Sequence, residues 1–539
     1  MNDVRKLISE AAVPYQTKLQ KNKKIVDKWE RSGLLEGIDD TFEKNTVAIL
    51  LENQAKQLLK EASRTGTAEG SEEWSGVALP LVRRIFSEIS SKEFVSVQPM
   101  NLPSGLVFWL DIKYGTGQAG FTTGSGKDSQ ADSVFGVTET AGNPNGGLYG
   151  AGRFGYTIND YDSAALSIAA SPSSTEFSTG SITAADYNYD TEFSSSYASD
   201  IAAGNVFKLT VSSASLTNHD AEGIRAFIPA GNEINAVFQQ FTNANSNDSQ
   251  ISFIVSGSSA TGSTVIKYHK QPSDTSRGDF EDRGSTLDIP ELNIELKQEQ
   301  IVAKTRKLKA VWTPEFAQDL NAYHAVDAEQ ELTGIMSEYV SMEVDLEILD
   351  MLIKNAQTKS YWSARVGREW NGSAFADLAT AQAQASSYSK NQWFETLGIK
   401  IKSVSNKIHQ KTMRGGANFI VASPSVSTIF ESIPGFTAAV GQDAKQYAAG
   451  VRLAGNFNGQ YQVYKHPYLT DNTILMGYRG QQFLETGAVY SPYVPMITTP
   501  MMLDPDNFTP RKGIMSRYAK KVVRPEFYGL IYVDNLGDV

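Results

Sequence analysis

Apolar and polar residues alternate in the stretch that begins at Leu292, Ile294 and Leu296. A period of two predicts a strand with one buried and one solvated face, so we expect these three side chains to face a core. The extended pattern ends at Thr313-Pro314. A helix is expected to begin there and to reach Tyr323, because a threonine hydroxyl caps a first turn and proline fits its start.

A second, longer helix is predicted from Asp327, since an aspartate followed three residues later by Gln330 is typical of a capping box. Apolar residues then recur every three or four positions, which predicts one apolar stripe on a helix that lies across a sheet. The stripe consists of Leu332, Ile335, Met336, Tyr339, Met342, Leu346, Leu349 and Ile353. Four acidic residues are expected mostly at its sides: Glu338, Glu343, Asp345 and Asp350.

The first 65 residues are charged and have a helical pattern, with an amphipathic stretch from Phe42 to Leu59. Such a segment predicts a solvated helical tail or a coiled-coil partner. After Glu61 and Ala62 the helical pattern gives way to small and polar residues. This change predicts an extended, exposed linker.

Residues 130–280 are dominated by Ser, Thr, Asn, Gly, Ala and Tyr, which together with short strand-like pieces predicts a β-rich inserted domain. Those pieces are Phe207–Val211, Ala236–Phe241, Ile251–Val255 and Thr264–Tyr268. Between Thr157 and Ile266 there are two basic residues, Lys208 and Arg225, against eleven acidic ones. The insert therefore carries most of the net charge of −11.

Strands and helices alternate again beyond residue 390, which predicts a compact α/β unit. Its elements are a helix around Leu397 to Ile408, strands at Asn418–Ala422, Tyr461–His466 and Thr473–Gly477, and a helix that starts at Ser423-Pro424. The last residues are predicted as two strands, Ala519–Arg524 and Phe527–Val533, which complete the sheet beneath the long helix.

Composition excludes several classes of function. The chain has 539 residues and no cysteine, which excludes disulfides and thiolate zinc sites. Its net negative charge disfavours a dedicated nucleic-acid binder, because binding phosphates requires a basic face. The same charge would suit a protein shell that encloses DNA, since an acidic inner surface repels the DNA and does not bind it. There is no apolar run long enough to cross a bilayer and no signal-peptide core, so we expect no membrane partner and synthesis in a cytoplasm.

No pattern of catalytic residues is present. The five histidines are all more than four residues apart, so none forms a zinc-type pair, and His324 is interpreted as a local cap or interface residue. The glycines at 115–120 match a nucleotide-binding spacing, but Phe121 and the residues after it do not open a helix. We predict no enzyme activity, no catalytic residue, no metal site and no cofactor.

Four stretches of the sequence resemble the major capsid proteins of T-even-type tailed bacteriophages. They are residues 304–315 (KTRKLKAVWTPE), 318–329 (QDLNAYHAVDAE), 96–100 with 105–108 (SVQPM and GLVF), and 484–495 (LETGAVYSPYVP). The resemblance covers residues 80–120 and 290 to the C-terminus, and it fades between 130 and 280.

The resemblance implies an α+β fold of the Hong Kong-phage capsid type, with a spine helix in a peripheral domain, an axial α/β domain, an extended loop and an N-terminal arm. The expected boundaries are a helical propeptide at 1–65, the arm and first strand at 66–112, the extended loop at 113–290 with the β-rich insert at 135–280, the peripheral domain at 291–365, the axial domain at 366–480 and return strands at 481–539.

The resemblance also implies how the chain is processed. A prohead protease of this family cuts after an aliphatic residue, any residue and glutamate, which the bond between Glu61 and Ala62 fits. The bond between Glu36 and Gly37 fits as an additional cut. The alternative interpretation of residues 61–70 is a plain flexible linker.

The function implied is a head protein that forms hexamers and, with neighbouring hexamers, a prolate or icosahedral shell that encloses double-stranded DNA without sequence preference. Implied partners are a vertex capsid protein, a scaffold or core protein, the prohead protease, a portal and outer decoration proteins. The expected location is the virion, after assembly in the host cytoplasm. The insert is expected to clamp a neighbouring subunit.

A basic row is the candidate contact between subunits. We expect Lys304, Arg306, Lys307 and Lys309 to meet acidic residues of an adjacent subunit's loop. Two alternatives remain: the pentamer-forming vertex paralogue of the same family, and an extracellular carbohydrate-binding or adhesion protein, which the Ser/Thr/Tyr-rich middle would fit.

Overall fold

The structure is a computed structural model. It describes residues 22–36, 38, 41–62, 89–115, 156–157, 161–167, 177–230, 234–245, 249–257, 263–270, 289–324, 327–371, 374–377, 389–412, 414–439, 450–480, 485 and 487–538. The tail before residue 22, the predicted linker after Ala62, residues 66–88 of the predicted arm and the glycine motifs at 116–126 lie outside the described residues.

Two helices and two strands come first in the described chain. They are α1 at residues 22–31, α2 at Thr41–Ala62, β1 at Ser96–Val97 and β2 at Ser104–Tyr114. The prediction of a solvated tail is wrong for residues 22–62, because Val47, Leu50 and Leu51 of α2 are buried in the main core.

The insert is β-rich, as predicted. Its elements are β3 (Tyr161–Ser167), β4 (Phe177–Ser181), α3 (Thr191–Ser196), α4 (Ala198–Ala202), β5 (Val206–Ser212), β6 (Ile228–Ala230), β7 (Ile234–Val237), β8 (Asn243–Ala244), β9 (Gln250–Gly257) and β10 (Ser263–His269). Three predicted strands are confirmed. The fourth ends early, because a 3-10 turn at Gln239–Phe241 follows β7, and the sequence pattern missed both short helices.

The predicted long strand is divided into two strands, and the predicted short helix separates them from the long helix. The elements are β11 (Leu292–Val302), β12 (Lys304–Val311), α5 (Pro314–His324) and α6 (Ala328–Asn355). Both predicted caps are present: the Thr313 hydroxyl accepts from the Phe316 amide at 3.3 Å, and the Asp327 carboxylate accepts from the Glu329 amide at 3.0 Å.

The α/β unit contains β13 (Thr358–Ser363), β14 (Arg368–Trp370), β15 (Phe375–Asp377), α7 (Lys390–Thr412), β16 (Phe419–Ala422), α8 (Pro424–Ser432), β17 (Phe436–Ala438), β18 (Arg452–Phe457), β19 (Tyr461–Lys465) and β20 (Thr473–Gly477). The chain closes with β21 (Ala488–Thr498), β22 (Met502–Leu503), β23 (Pro510–Val522) and β24 (Tyr528–Asp534). Separate helical and sheet segments confirm the α+β class.

Two sheets organise the main body. One has the order β1-β21-β23-β12, with β22 beside β23, and α6 packs on it. The other has seven strands in the order β13-β24-β20-β16-β19-β18-β17. The prediction that the last strand completes the sheet under the long helix is therefore wrong: β24 pairs with β13 and β20 in the other sheet.

The central strands β16 and β20 of the seven-stranded sheet are buried on both faces. In β16, Phe419 and Val421 join the core that contains α6, whereas Ile420 and Ala422 join a second core with α7 and α8. Strands covered on both sides need continuous apolar runs instead of alternation, which explains why β16 is apolar throughout and β20 nearly so.

The buried face of the long helix overlaps only partly with the predicted stripe. Met336 and Leu349 of that stripe are buried, and the other buried residues are Val340, Val344, Ile348 and Leu352, together with Asp345 and several small residues. Ile335 and Tyr339, which were expected inside, are exposed. The apolar residues of the helix lie on two neighbouring faces that are rotated by about one residue relative to each other. The sheet covers only one of these faces.

Candidate interaction surfaces

A two-stranded ribbon presents an uncovered apolar face. Strands β2 and β11 pair in antiparallel register from Leu292 opposite Tyr114 to Val302 opposite Ser104. Directly opposite residues share a face, so Leu292, Ile294 and Leu296 stand beside alternate residues of β2. These three side chains are 55%, 71% and 58% exposed.

The ribbon contradicts the expectation that its apolar face is buried within the chain. The opposite face packs near the base of the ribbon, where Val107 and Ile301 join a small core with Val489. An isolated two-stranded ribbon is marginally stable in water, and a row of exposed aliphatic side chains is typical of a surface that another protein covers.

Strand alternation divides the predicted basic row between two faces of β12. Arg306, Leu308 and Ala310 face the helix side, and the two aliphatic residues pack on the main core. Lys307 and Lys309 project from the opposite face and are exposed. Because β12 is the last strand of its sheet, these two lysines lie along an edge with no further strand in the described chain.

Arg306 contacts acidic residues of its own chain. Its guanidinium donates to the Glu347 carboxylate at 2.6 Å and lies 3.5 Å from Glu343. Lys520 pairs with Glu347 at 2.9 Å, and the Tyr518 hydroxyl also donates to it. Burial alone would raise the pKa of Glu347, but the hydrogen bonds from Tyr518, Lys520 and Arg306 outweigh burial and lower that pKa to about 2.

A cavity of about 470 Å³ opens beside this cluster and is lined by Lys304, Thr305 and Lys307 as well as by the cluster itself. Lys304, Lys307 and Lys309 form no ion pair within the described residues. The structure thus separates the four predicted residues: Arg306 is used inside the subunit, and three lysines remain available at the surface.

A buried carboxylate on α6 was missed by sequence reasoning. Asp345 is 1% exposed, and it accepts hydrogen bonds from the Ser90 amide at 2.9 Å, the Ser90 hydroxyl at 2.8 Å and the Ser91 amide at 3.0 Å. Burial raises the pKa of Asp345, while these donors act in the opposite direction. The contact fixes the start of the chain after residue 88 onto the long helix.

The residues predicted for processing lie in or next to helical structure. Glu61 and Ala62 are the last two residues of α2, so the backbone there is helical and not extended as expected. Glu36 is exposed in the turn between α1 and α2, but its neighbour Leu35 is 1% exposed. Proteases bind extended substrates, so a cut at either position requires local unwinding.

The described residues contain no group of three acidic or histidine side chains placed to hold a metal ion. None of the described helices is long and apolar enough to span a membrane. His324 is exposed at the end of α5. His466 is fully buried in the α/β unit, where burial lowers its pKa to about 4 and its Nδ1 accepts from the Tyr468 amide at 3.2 Å.

Residues 71–537 match the family model described as major capsid protein Gp23. The chain belongs to this family. The match confirms the resemblance inferred from residues 304–329, and it extends through the insert, where the sequence resemblance fades.

Relatives of the Gp23 family are similar over a more limited stretch. The chain is 31% identical over 239 residues to the major capsid protein of Vibrio phage KVP40, covering 43% of this chain and 45% of the relative. It is 31% identical over 237 residues to that of Enterobacteria phage T4, covering 42% of this chain and 44% of the relative. The chain therefore spans about half or less of the length of the curated relatives it matches.

Solved capsid structures show lower identity to this Gp23-family chain. The capsid of Myoviridae phage XM1 has 8% identity and a TM-score of 0.30, with 47% of this chain and 82% of that chain covered. The capsid structure of cyanophage P-SCSP1u has 10% identity and a TM-score of 0.30, with 48% and 80% covered.

Proposed function

We propose that the chain is a capsid shell subunit that associates with copies of itself into hexamers. Neighbouring hexamers then form the icosahedral or prolate shell around double-stranded phage DNA. In this role the sheet under α6 is the peripheral domain and the seven-stranded sheet is the axial domain. The implied partners are the scaffold or core protein, vertex protein, portal, prohead protease and outer decoration proteins.

The observation that supports self-association most directly is the uncovered face of the β2–β11 ribbon. Full burial of a leucine or isoleucine side chain contributes about 1.5–3 kcal/mol, so covering Leu292, Ile294 and Leu296 would favour association strongly. Each subunit in a closed shell makes several such contacts, and every contact raises the effective concentration for the next. The Gp23-family match supports the same conclusion.

Assembly of the purified full chain tests the proposal. We expect electron microscopy to show closed shells or sheets of hexamers, and we expect Ile294→Asp to abolish them by placing a charge on the apolar face. The matched control is Asn293→Asp, which adds the same charge to the other face of β11 and should assemble. A chain that stays monomeric at every concentration would overturn the proposal.

Lys304, Lys307 and Lys309 of β12, which form no ion pair with the described residues, are proposed to meet acidic residues of an adjacent subunit. Reversing charge in Lys307→Glu/Lys309→Glu should raise the concentration needed for assembly about tenfold, because exposed pairs contribute up to about 1 kcal/mol each. Sedimentation at low and high salt measures the change. Lys359→Glu, an exposed lysine on β13, is the control. An unchanged assembly threshold in the double variant would remove β12 from the interface.

We also propose that the bond between Glu61 and Ala62 is cleaved during maturation, as the first step in removing the N-terminal segment. The chain is helical at that bond, so the last turn of α2 must unwind before a protease can bind it.

A further inference from the structure

The two N-terminal helices form a hairpin with its own internal contacts. The Trp29 indole donates to the Glu52 carboxylate at 3.2 Å, and Lys28 pairs with the same carboxylate at 2.8 Å. Lys44 of α2 lies 3.4 Å from Glu30 of α1. These contacts join the helices on both sides of the turn at residues 32–36.

The hairpin is docked on the body of the subunit. Val47, Ala48, Leu50 and Leu51 of α2 are buried, and α2 packs on strand β21. Trp29 and Leu35 from the other half of the hairpin belong to the same core as Tyr490 and Met496 of that strand.

Polar contacts fix the orientation of α2 on this body. The Asn53 amide donates to the Met100 carbonyl at 3.0 Å, and Lys92 pairs with Glu43 at 3.0 Å. Both contacts lie N-terminal to the last two turns of α2. Hydrolysis of the bond after Glu61 leaves all of these interactions in place.

We infer that the N-terminal hairpin stays bound to the subunit after a cut between Glu61 and Ala62, and that its release requires a second cut in the turn at Glu36. This inference rests on the proposed maturation. The hairpin binds as one body because its halves are linked, and a linked contact has a high effective concentration. A cut at Glu36 divides the hairpin into two separate fragments. Each fragment then loses its own translational entropy when it binds to the subunit, so each binds more weakly than the intact hairpin.

The separated pieces also lose internal order. Helix α1 covers only ten described residues, and a helix of that length is marginal without tertiary support. Helix α2 would lose the cover that Trp29 and Leu35 supply. A protease can reach Glu36 in this turn because its side chain is exposed, but Leu35 must first leave the core.

Two full-length variants test the inference. The first carries a recognition sequence for a site-specific protease directly after Ala62, and the second carries it also between Glu36 and Gly37. Each chain is folded, cut and passed through gel filtration, and mass spectrometry identifies what co-elutes. We expect stoichiometric retention of the N-terminal fragment after one cut and loss of both pieces after two. Loss after one cut, or retention after two, would overturn the inference.

Point variants in the singly cut chain show what holds the hairpin. Leu51→Asp should release the fragment, whereas Lys56→Gln, on the exposed side of α2, should retain it. Leu51→Ala is the milder form to use where the aspartate prevents folding, and it should release part of the fragment. Retention in both Leu51 variants would show that the buried face of α2 does not hold the hairpin.

Retention of the N-terminal fragment tests this inference independently of the proposed shell function. Retention is measured without shell assembly and without the phage protease. A chain that keeps its hairpin after one cut but never forms shells would contradict the shell role alone. A chain that forms shells but loses its hairpin after one cut would contradict only the inference.

Discussion

Asp345→Leu is expected to destabilise the subunit by about 4 kcal/mol, because three buried donors would lose their acceptor and each unsatisfied group costs about 1–3 kcal/mol. Ser90 and Ser91 have no exposed surface, so water cannot replace the carboxylate. The free energy of unfolding in urea, followed by tryptophan fluorescence, measures the loss.

Two controls make this result specific. Asp350→Leu changes the same residue type five positions along α6, where the carboxylate is exposed and, among the described residues, pairs with Lys354. We expect its effect to be under about 0.5 kcal/mol. Asp345→Asn keeps the volume and one acceptor, so it should lie between the two. Equal stability of Asp345→Leu and the unsubstituted chain would show that this contact does not stabilise the fold.

Glu347→Gln is expected to lower the free energy of unfolding by about 1–2 kcal/mol at neutral pH, because the pKa of Glu347 is lowered from 4.5 to about 2 and solvent screens part of that interaction. The pKa is lower in the folded chain than in the unfolded one. The stabilisation by Glu347 is therefore complete above pH 4.5 and is lost as the pH falls towards 2.

Urea unfolding across that pH range tests the assignment. The glutamine variant should show a weaker dependence of stability on pH between 4.5 and 2 than the unsubstituted chain. Glu343→Gln is the matched control, since Glu343 is a more distant and more exposed partner of Arg306. Its effect should stay below about 1 kcal/mol. If Glu347→Gln leaves the pH dependence of stability unchanged, other carboxylates cause the loss of stability in acid.

Several helices and strands in the segments that resemble the capsid family could be predicted from residues close together in the sequence. Thr313 and Asp327 were assigned as caps, and both caps are present, because capping depends on residues within one helical turn. The strand at Thr473–Gly477 has the predicted bounds. Helix α2 was also expected, but its position was not, because an amphipathic pattern does not show whether the apolar face meets solvent, a partner or the chain's own sheet.

The candidate surfaces were only partly predictable, because the contacts of their residues involve partners far away in the sequence. The row from Lys304 to Lys309 was identified in the sequence, yet the use of Arg306 inside the subunit depends on Glu347, which lies 41 residues further along. Asp345 could not be singled out, since its donors at Ser90 and Ser91 are about 255 residues away in the chain.

The sequence by itself determined the order and type of most elements, the long helix with its cap, and membership of a capsid family. Only the tertiary structure decided which apolar face of α6 is buried, that β24 joins the seven-stranded sheet, and that the ribbon leaves Ile294 exposed. The physical reason is that periodicity sets the shape of an element, whereas contacts between residues far apart in the chain decide which of its faces another element covers.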